Sequence, residues 1–145
     1  MYLTGTYKHN LDAKQRITLP APFRKEFGEK VCLIPIGGKI LGFTPEGHQA
    51  WVESYFPNGY NPRSKKDERL RFLLNAKTMT LELDSAGRLA LGKLGAEALT
   101  SCDIKREVAV VGNTDHFEIW DAEDYDKTIA ELDESIDELD SLMYD

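Results

Sequence analysis

Cysteine is scarce in this 145-residue sequence: Cys32 and Cys102 are the only two, and neither belongs to a C-x-x-C pair. That spacing excludes a zinc ribbon and a dithiol redox centre. Both read as buried thiols in a reducing compartment, with a single disulfide as the alternative. Histidine is equally sparse. His9, His48 and His116 stand apart without metal-ligand spacing, so no metal site is expected. No apolar run reaches the roughly eighteen residues of a membrane span. No basic-plus-apolar leader opens the chain, so the expected location is the cytoplasm. Walker A, G-x-S-x-G and dinucleotide fingerprints are all missing. No enzyme, cofactor or small-molecule ligand is therefore expected. Asp12 and Asp84 make a poor acid dyad, because a neighbouring arginine keeps each ionised.

What the sequence does have is polarised charge. The net charge is −7, yet residues 1–77 hold 13 Lys and Arg against 7 Asp and Glu, and residues 78–145 hold 5 against 18. A basic front is compatible with a polyanion partner despite the acidic total.

The chain also repeats itself. Leu11-Asp12-Ala13-Lys14-Gln15-Arg16-Ile17-Thr18-Leu19 returns as Leu83-Asp84-Ser85-Ala86-Gly87-Arg88-Leu89-Ala90-Leu91, an offset of 72 residues. Apolar residues alternate on both sides, as in half-buried strands. Turn formers lie between: Asp12 and Asp84 can bond the backbone two residues on, and Gly87 supplies a positive φ. Asp12, Asp84 and Gly87 are thus expected to shape two tight connections. Each arginine can pair with its aspartate bidentately or point outward.

Strands are expected at Leu3–Tyr7, Arg16–Leu19, Val31–Ile34 and Lys39–Phe43. A short helix opens at Pro20-Ala21-Pro22 and ends at Gly28, and Gly37-Gly38 makes a hairpin turn. Thr44 caps a helix running towards Phe56, and Ser64 caps another that turns Leu70, Phe72, Leu73 and Leu74 inward. The second copy repeats this order. It has strands at Thr78–Leu83, Arg88–Leu91, Glu107–Val111 and Phe117–Trp120, a short helix at Lys93–Leu99, and Asp121 as a cap. From Phe43 to Trp120 the offset has grown to 77. Each unit is β-β-α-β-β followed by a helix. In the last helix Ile129, Leu132, Ile136, Leu139 and Met143 form an a/d seam, which serves either intrachain packing or a subunit contact.

Together these features resemble the MraZ family of bacterial transcriptional regulators, whose units belong to the AbrB-like swapped-hairpin superfamily. The match is carried by the two D-x-x-x-R segments, Leu19-Pro20, Phe23-Arg24, Val110-Val111-Gly112 and Phe117-Glu118-Ile119-Trp120-Asp121. The resemblance implies an α+β fold, mostly β with short helices: a double-psi, swapped-hairpin AbrB-like barrel in which each half supplies strands to the other. The divisions are a first repeat with its helix at 1–56, a connector and basic helix at 57–77, a second repeat at 78–121 and an acidic helix at 122–145. It also implies a nucleoid-associated homo-oligomeric ring. Such a ring binds repeated double-stranded DNA sites ahead of a cell-division and wall-synthesis gene cluster that includes its own gene.

The DNA-facing positions of the family map to Arg16 and Lys14, and Arg88 takes the matching place by internal symmetry. Lys8 and Arg24 complete the expected basic face, with Arg16 expected to matter more than Arg88. Gln15 stands where the family commonly has glycine, so the first turn has either another shape or some strain. Arg63, Lys65, Lys66, Arg69 and Arg71 form a second basic cluster, read as a solvated helix face or an auxiliary phosphate contact. A structural or antitoxin-like scaffold without sequence-specific DNA binding is the alternative function.

Overall fold

A computed structural model describes residues 1–134 and 136–144, with the side chains of 133–138 outside that description. In chain order its strands are β1 (Thr6–Asn10), β2 (Arg16–Thr18), β3 (Lys30–Ile36), β4 (Lys39–Phe43), β5 (Met79–Glu82), β6 (Arg88–Ala90), β7 (Glu107–Gly112) and β8 (Phe117–Asp121). The helices are α1 (Ala21–Arg24), α2 (Pro45–Glu53), α3 (Lys65–Ala76), α4 (Ala96–Ser101), α5 (Ala122–Glu134) and α6 (Ile136–Tyr144), with a 3-10 turn at Leu91–Leu94. The fold is α+β, built from two β-β-α-β-β-like units.

Strand register shows how the units combine. One sheet runs β1-β7-β8-β4-β3-β5, and β2 and β6 form a separate antiparallel ribbon. In the ribbon Ile17 faces Leu89, and at the middle of the large sheet Leu41 faces Glu118. These pairs join equivalent positions of the two copies, at the offsets of 72 and 77. A local two-fold axis therefore passes through both. The outer pairings obey it too: β1 lies on β7, and its counterpart β5 lies on β3, with Lys8 facing Ala109 as Thr80 faces Cys32. Each half gives its first strand to the other half's sheet.

The main core lies between the ribbon and the sheet. Ile17, Leu19, Leu89 and Leu91 project from the ribbon side onto Leu33, Val108, Val110 and Ile119, with Phe23, Phe27 and Phe117 filling the space between. The Phe27 and Phe117 rings meet edge to face at 5.4 Å. A second cluster forms on the outer face of the first half, where α2 and α3 cover Cys32, Ile34, Leu41 and Phe43. The helix caps follow from residue type. Thr44 Oγ1 accepts from Gly47 N at 2.9 Å, Ser64 Oγ from Asp67 N at 3.2 Å, and Asp121 Oδ2 from Asp124 N at 3.3 Å.

Several boundaries differ from expectation, for local reasons. Leu3 is outside the first strand: Gly5 turns the chain at φ 87, and Leu3 pairs with Thr114 instead. The first helix ends at Arg24 rather than Gly28, because the chain must turn again to bury Phe27 beside Phe23. α2 stops at Glu53, where Ser54 Oγ donates to Trp51 O at 2.5 Å. Gly95, at φ 94, splits the expected second short helix into the 3-10 turn and α4. On α3 only Leu74 is buried and Leu70 half-buried, while Phe72 and Leu73 face outward. In the acidic C-terminal segment Ile129, Leu132, Leu139 and Met143 are exposed rather than packed on their own domain. The Ile136 side chain, the middle of the expected seam, lies outside the described residues.

His116 does not stand alone. Its Nε2 donates to Glu118 Oε2 at 3.1 Å and its Nδ1 to Asp115 Oδ1 at 2.7 Å, which requires the imidazolium. Glu118 is buried and also accepts from Asn113 Nδ2 and Trp120 Nε1, with Lys39 Nζ at 3.3 Å. These donors, His116 first, hold the Glu118 carboxyl down at about 2. Glu118 in turn raises His116 above its ordinary 6.5. The glutamate contribution is present above its unfolded value of 4.5 and is lost as pH falls towards 2. The histidine contribution is full below 6.5 and is lost as pH rises through the higher folded value. His116→Gln should therefore melt well below the parent in mildly acidic buffer, with the gap narrowing in alkaline buffer. A gap independent of pH would contradict this pairing.

Candidate nucleic-acid interface

The two D-x-x-x-R loops are nearly superposable in their hydrogen bonds. In the first, Asp12 Oδ1 accepts from Lys14 N at 2.8 Å and Arg16 N at 2.9 Å, while Arg16 Nε donates to Asp12 Oδ2 at 2.7 Å. In the second, Asp84 Oδ1 accepts from Ala86 N at 3.0 Å and Arg88 N at 2.9 Å, while Arg88 Nε donates to Asp84 Oδ2 at 2.7 Å. Backbone bonds match as well: Gln15 N to Asp12 O and Gly87 N to Asp84 O are both 2.9 Å. The Arg16 and Arg88 backbone amides, followed by the guanidinium groups, hold the two carboxyls below the ordinary 3.8.

The aspartates engage Nε alone, so each arginine is neither gripped bidentately nor free. Its guanidinium plane is set by the carboxylate. Among the described residues, the terminal nitrogens of both make no hydrogen bond. Those nitrogens are the paired donors that suit a phosphate or a guanine edge. The ribbon register places the two arginines together. Ile17 and Leu89 turn into the core, so Arg16 and Arg88 sit diagonally on the opposite, solvent-facing side.

The loops differ at their fourth residue. Gly87 has φ 75, and Gln15 has φ 57, so the non-glycine turn keeps the same shape in the left-handed region. Such a residue carries strain of about 1–3 kcal/mol. What lies across each loop is exchanged too. A Cβ on Gly87 would come within 2.4 Å of Arg24 Cδ, whereas Gln15 reaches over Gly92, whose Cβ would meet Gln15 Oε1 at 2.7 Å.

The remaining basic residues separate. Lys14 is exposed on the first loop. Arg24 crosses to the second, where its Nη1 donates to Ala86 O at 3.3 Å. Lys8 is not brought to either: its Nζ pairs with Asp126 Oδ1 at 2.7 Å and lies 5.8 Å from the Tyr125 ring centre. Sequence reading missed the Arg24 crossing and the Gln15–Gly92 contact. The strand exchange between halves was the signal for the first, since it brings one half's helix beside the other half's loop. No group of three or more potential metal ligands occurs among the described residues.

Gly87→Ala is expected to lower stability by about 1–3 kcal/mol, from left-handed strain added to the clash with Arg24. Urea denaturation measures it, and adding Arg24→Ala should recover the clash but not the strain. Gln15→Ala, already non-glycine at a positive φ, should cost under about 1 kcal/mol. Equal losses at the two positions would contradict this account of the loops.

Comparison with known proteins extends this geometry. The family model for the MraZ protein, labelled antitoxin-like, matches residues 2–70 and 74–145. The chain is 31% identical over 144 residues to the transcriptional regulator MraZ of Ligilactobacillus salivarius, covering 97% of this chain and 96% of that protein. It is 27% identical to the Mesoplasma florum protein of the same name, covering 99% and 97%, and 31% identical to that of Leuconostoc citreum, covering 93% and 92%. On the strength of a match along nearly its whole length, the chain belongs to the MraZ family.

Proposed function

We propose that this transcriptional regulator of the MraZ family reads repeated DNA sites upstream of its own gene, within the cell-division and wall-synthesis cluster, as a ring oligomer. It does so with the paired Asp–Arg loops. One observation carries the reading: two loops with matching hydrogen bonds present fixed guanidinium groups, terminal nitrogens outward, on one face of the β2/β6 ribbon. A fixed donor pair loses less freedom on binding than a mobile one. The two-fold axis through Ile17 and Leu89 also suits a duplex, whose antiparallel strands have local two-fold axes of their own.

Arg16 and Arg88 are assigned to base or phosphate contact, Lys14 and Arg24 to phosphates flanking their respective loops. Asp12, Asp84 and Gly87 hold the loops in shape. Lys8 joins only by surrendering Asp126 to a phosphate. The divisions at 56, 77 and 121 serve as functional segments, although the first and third share one sheet. As a regulator the protein needs no catalytic group, and among the described residues no helix is long and apolar enough to cross a membrane. Cytoplasmic, nucleoid-associated action follows from the proposed DNA partner.

The crossing of Arg24 supports another ranking of the arginines than the one expected from sequence. The sequence places the cations beside Arg16, but Arg24 crosses to Arg88, so each loop has one additional cation. Arg16→Ala and Arg88→Ala should therefore each reduce specific binding by comparable amounts. A lost bidentate base contact costs about 1–3 kcal/mol per site, compounded when several subunits engage successive repeats. Gel shifts with upstream and shuffled DNA at two salt concentrations test this, with each variant's mass checked first. Retention of the upstream DNA should fall steeply with salt. Unchanged binding by both intact variants would contradict the loops as reading heads. No preference for upstream over shuffled DNA would favour the scaffold instead.

A further inference from the structure

The outward face of the β2/β6 ribbon holds more than its two arginines. Ile17 and Leu89 turn into the core, which leaves Arg16 and Thr18 outward on one strand and Arg88 and Ala90 on the other. Thr18 lies directly across from Arg88, and Ala90 directly across from Arg16. One step along the ribbon, Leu19 N donates to Gly87 O at 2.9 Å. Hydrogen-bonded and non-hydrogen-bonded pairs alternate in an antiparallel ladder, so Thr18–Arg88 is a pair of the second kind. In such pairs the Cα atoms are only about 4.5 Å apart and the side chains approach most closely. Arg16–Ala90, two steps on, is the same kind of pair.

The local two-fold axis exchanges Thr18 with Ala90 as it exchanges Arg16 with Arg88, at the same offset of 72. The arginines are identical, and the inward mates are alike: Ile17 with Leu89, Leu19 with Leu91. Thr18 and Ala90 differ in chemistry, one presenting a hydroxyl and the other a methyl. Both are half-buried, as the arginines beside them are. Among the described residues the Thr18 hydroxyl makes no hydrogen bond. The one buried side-chain nitrogen or oxygen left unpartnered there is Nδ1 of His9, so the Thr18 hydroxyl is open to solvent. A two-stranded ribbon fits the major groove. There arginine pairs with guanine, a threonine hydroxyl serves as donor or acceptor at a base edge, and a small methyl packs on the thymine methyl. Two identical arginines cannot tell the two ends of a base step apart, whereas the unlike pair beside them can.

We propose that Thr18 and Ala90 set base preference between the arginines: the Thr18 hydroxyl bonds the base edge beside the contact of Arg88, and the Ala90 methyl packs on a thymine methyl beside the contact of Arg16. Affinity stays with the cations, and these two residues add discrimination. The inference rests on the reading of the paired loops as reading heads, and it names what that face distinguishes. Turning the protein about its local axis exchanges the two positions. On one isolated site, a chain with Thr18 and Ala90 exchanged therefore recovers the parental contacts by binding the other way round.

Competition binding by fluorescence anisotropy tests this on duplexes that hold a single upstream site, with each base pair changed in turn. Every affinity is taken as a ratio to the unchanged site, so a uniform loss cancels. In the parent, changes at two base pairs beside those read by the arginines should each cost about tenfold. Thr18→Val keeps the shape and removes the hydroxyl, and should bring one of those ratios close to unity. Thr18→Ser keeps the hydroxyl and should retain it. Thr18→Ala should lose the same ratio, and adding Ala90→Thr should bring it back. Parental ratios throughout in Thr18→Val, or a double exchange no better than Thr18→Ala, would overturn the proposal. If Thr18→Val lacks a cooperative melt, Thr18→Ala takes its place with the same readings. A parent that binds the site no better than shuffled DNA would overturn the loop reading as well. A parent that prefers the site, beside a Thr18→Val chain that keeps every ratio, would overturn this inference alone.

Discussion

Strand exchange between the two halves is the constraint on which the rest of this molecule depends. Neither half has a complete sheet of its own: β1 completes the second half by pairing with β7, and β5 completes the first by pairing with β3. Both exchanges are centred on the Leu41–Glu118 and Ile17–Leu89 pairs. The exchange closes the main core and leaves the ribbon stretched across it. Because the ribbon joins equivalent residues, anything that one loop presents to solvent, the other presents on the same face. The doubled reading head proposed above is thus a consequence of topology, not of a separate binding domain.

The two-fold relation is kept in the backbone and relaxed where the surroundings of the halves differ. On the outer face Leu41 and Phe43, under α2 and α3, correspond to Glu118 and Trp120. An acid can occupy the covered leucine's counterpart because His116, Asn113, Trp120 and Lys39 surround it with donors. At the loops the exchange is between glycine and long side chain: Gly87 beneath Arg24, Gln15 above Gly92. The same geometry is reached twice by different packing, which is how Gln15 is accommodated at φ 57.

Much of this is legible in the order of residues alone. The doubled D-x-x-x-R segment, the period-two apolar pattern and the Thr44, Ser64 and Asp121 caps depend on neighbours in sequence, and local chemistry decides them. The register offsets of 72 and 77 already contain the two-fold axis. Less legible are properties set by distant residues. Phe72 and Leu73 fit an inward helix face by spacing, but which side of α3 is covered depends on where α2 and the hairpin lie. Lys8 is close to the loop in sequence yet belongs to α5 through Asp126, and Arg24 serves the other half's loop. Charge proximity along a chain is a poor guide once strands are exchanged.

The central claim is that both loops engage DNA together, as one face. Backbone hydrogen–deuterium exchange with and without the upstream DNA tests it directly, since each aspartate already holds two loop amides at known positions. The peptides containing Lys14–Arg16 and Ala86–Arg88 are predicted to slow together on binding, while α3 is unaffected by DNA. Slowing confined to the first loop, or protection centred on Arg63 to Arg71 with both loops unchanged, would contradict it.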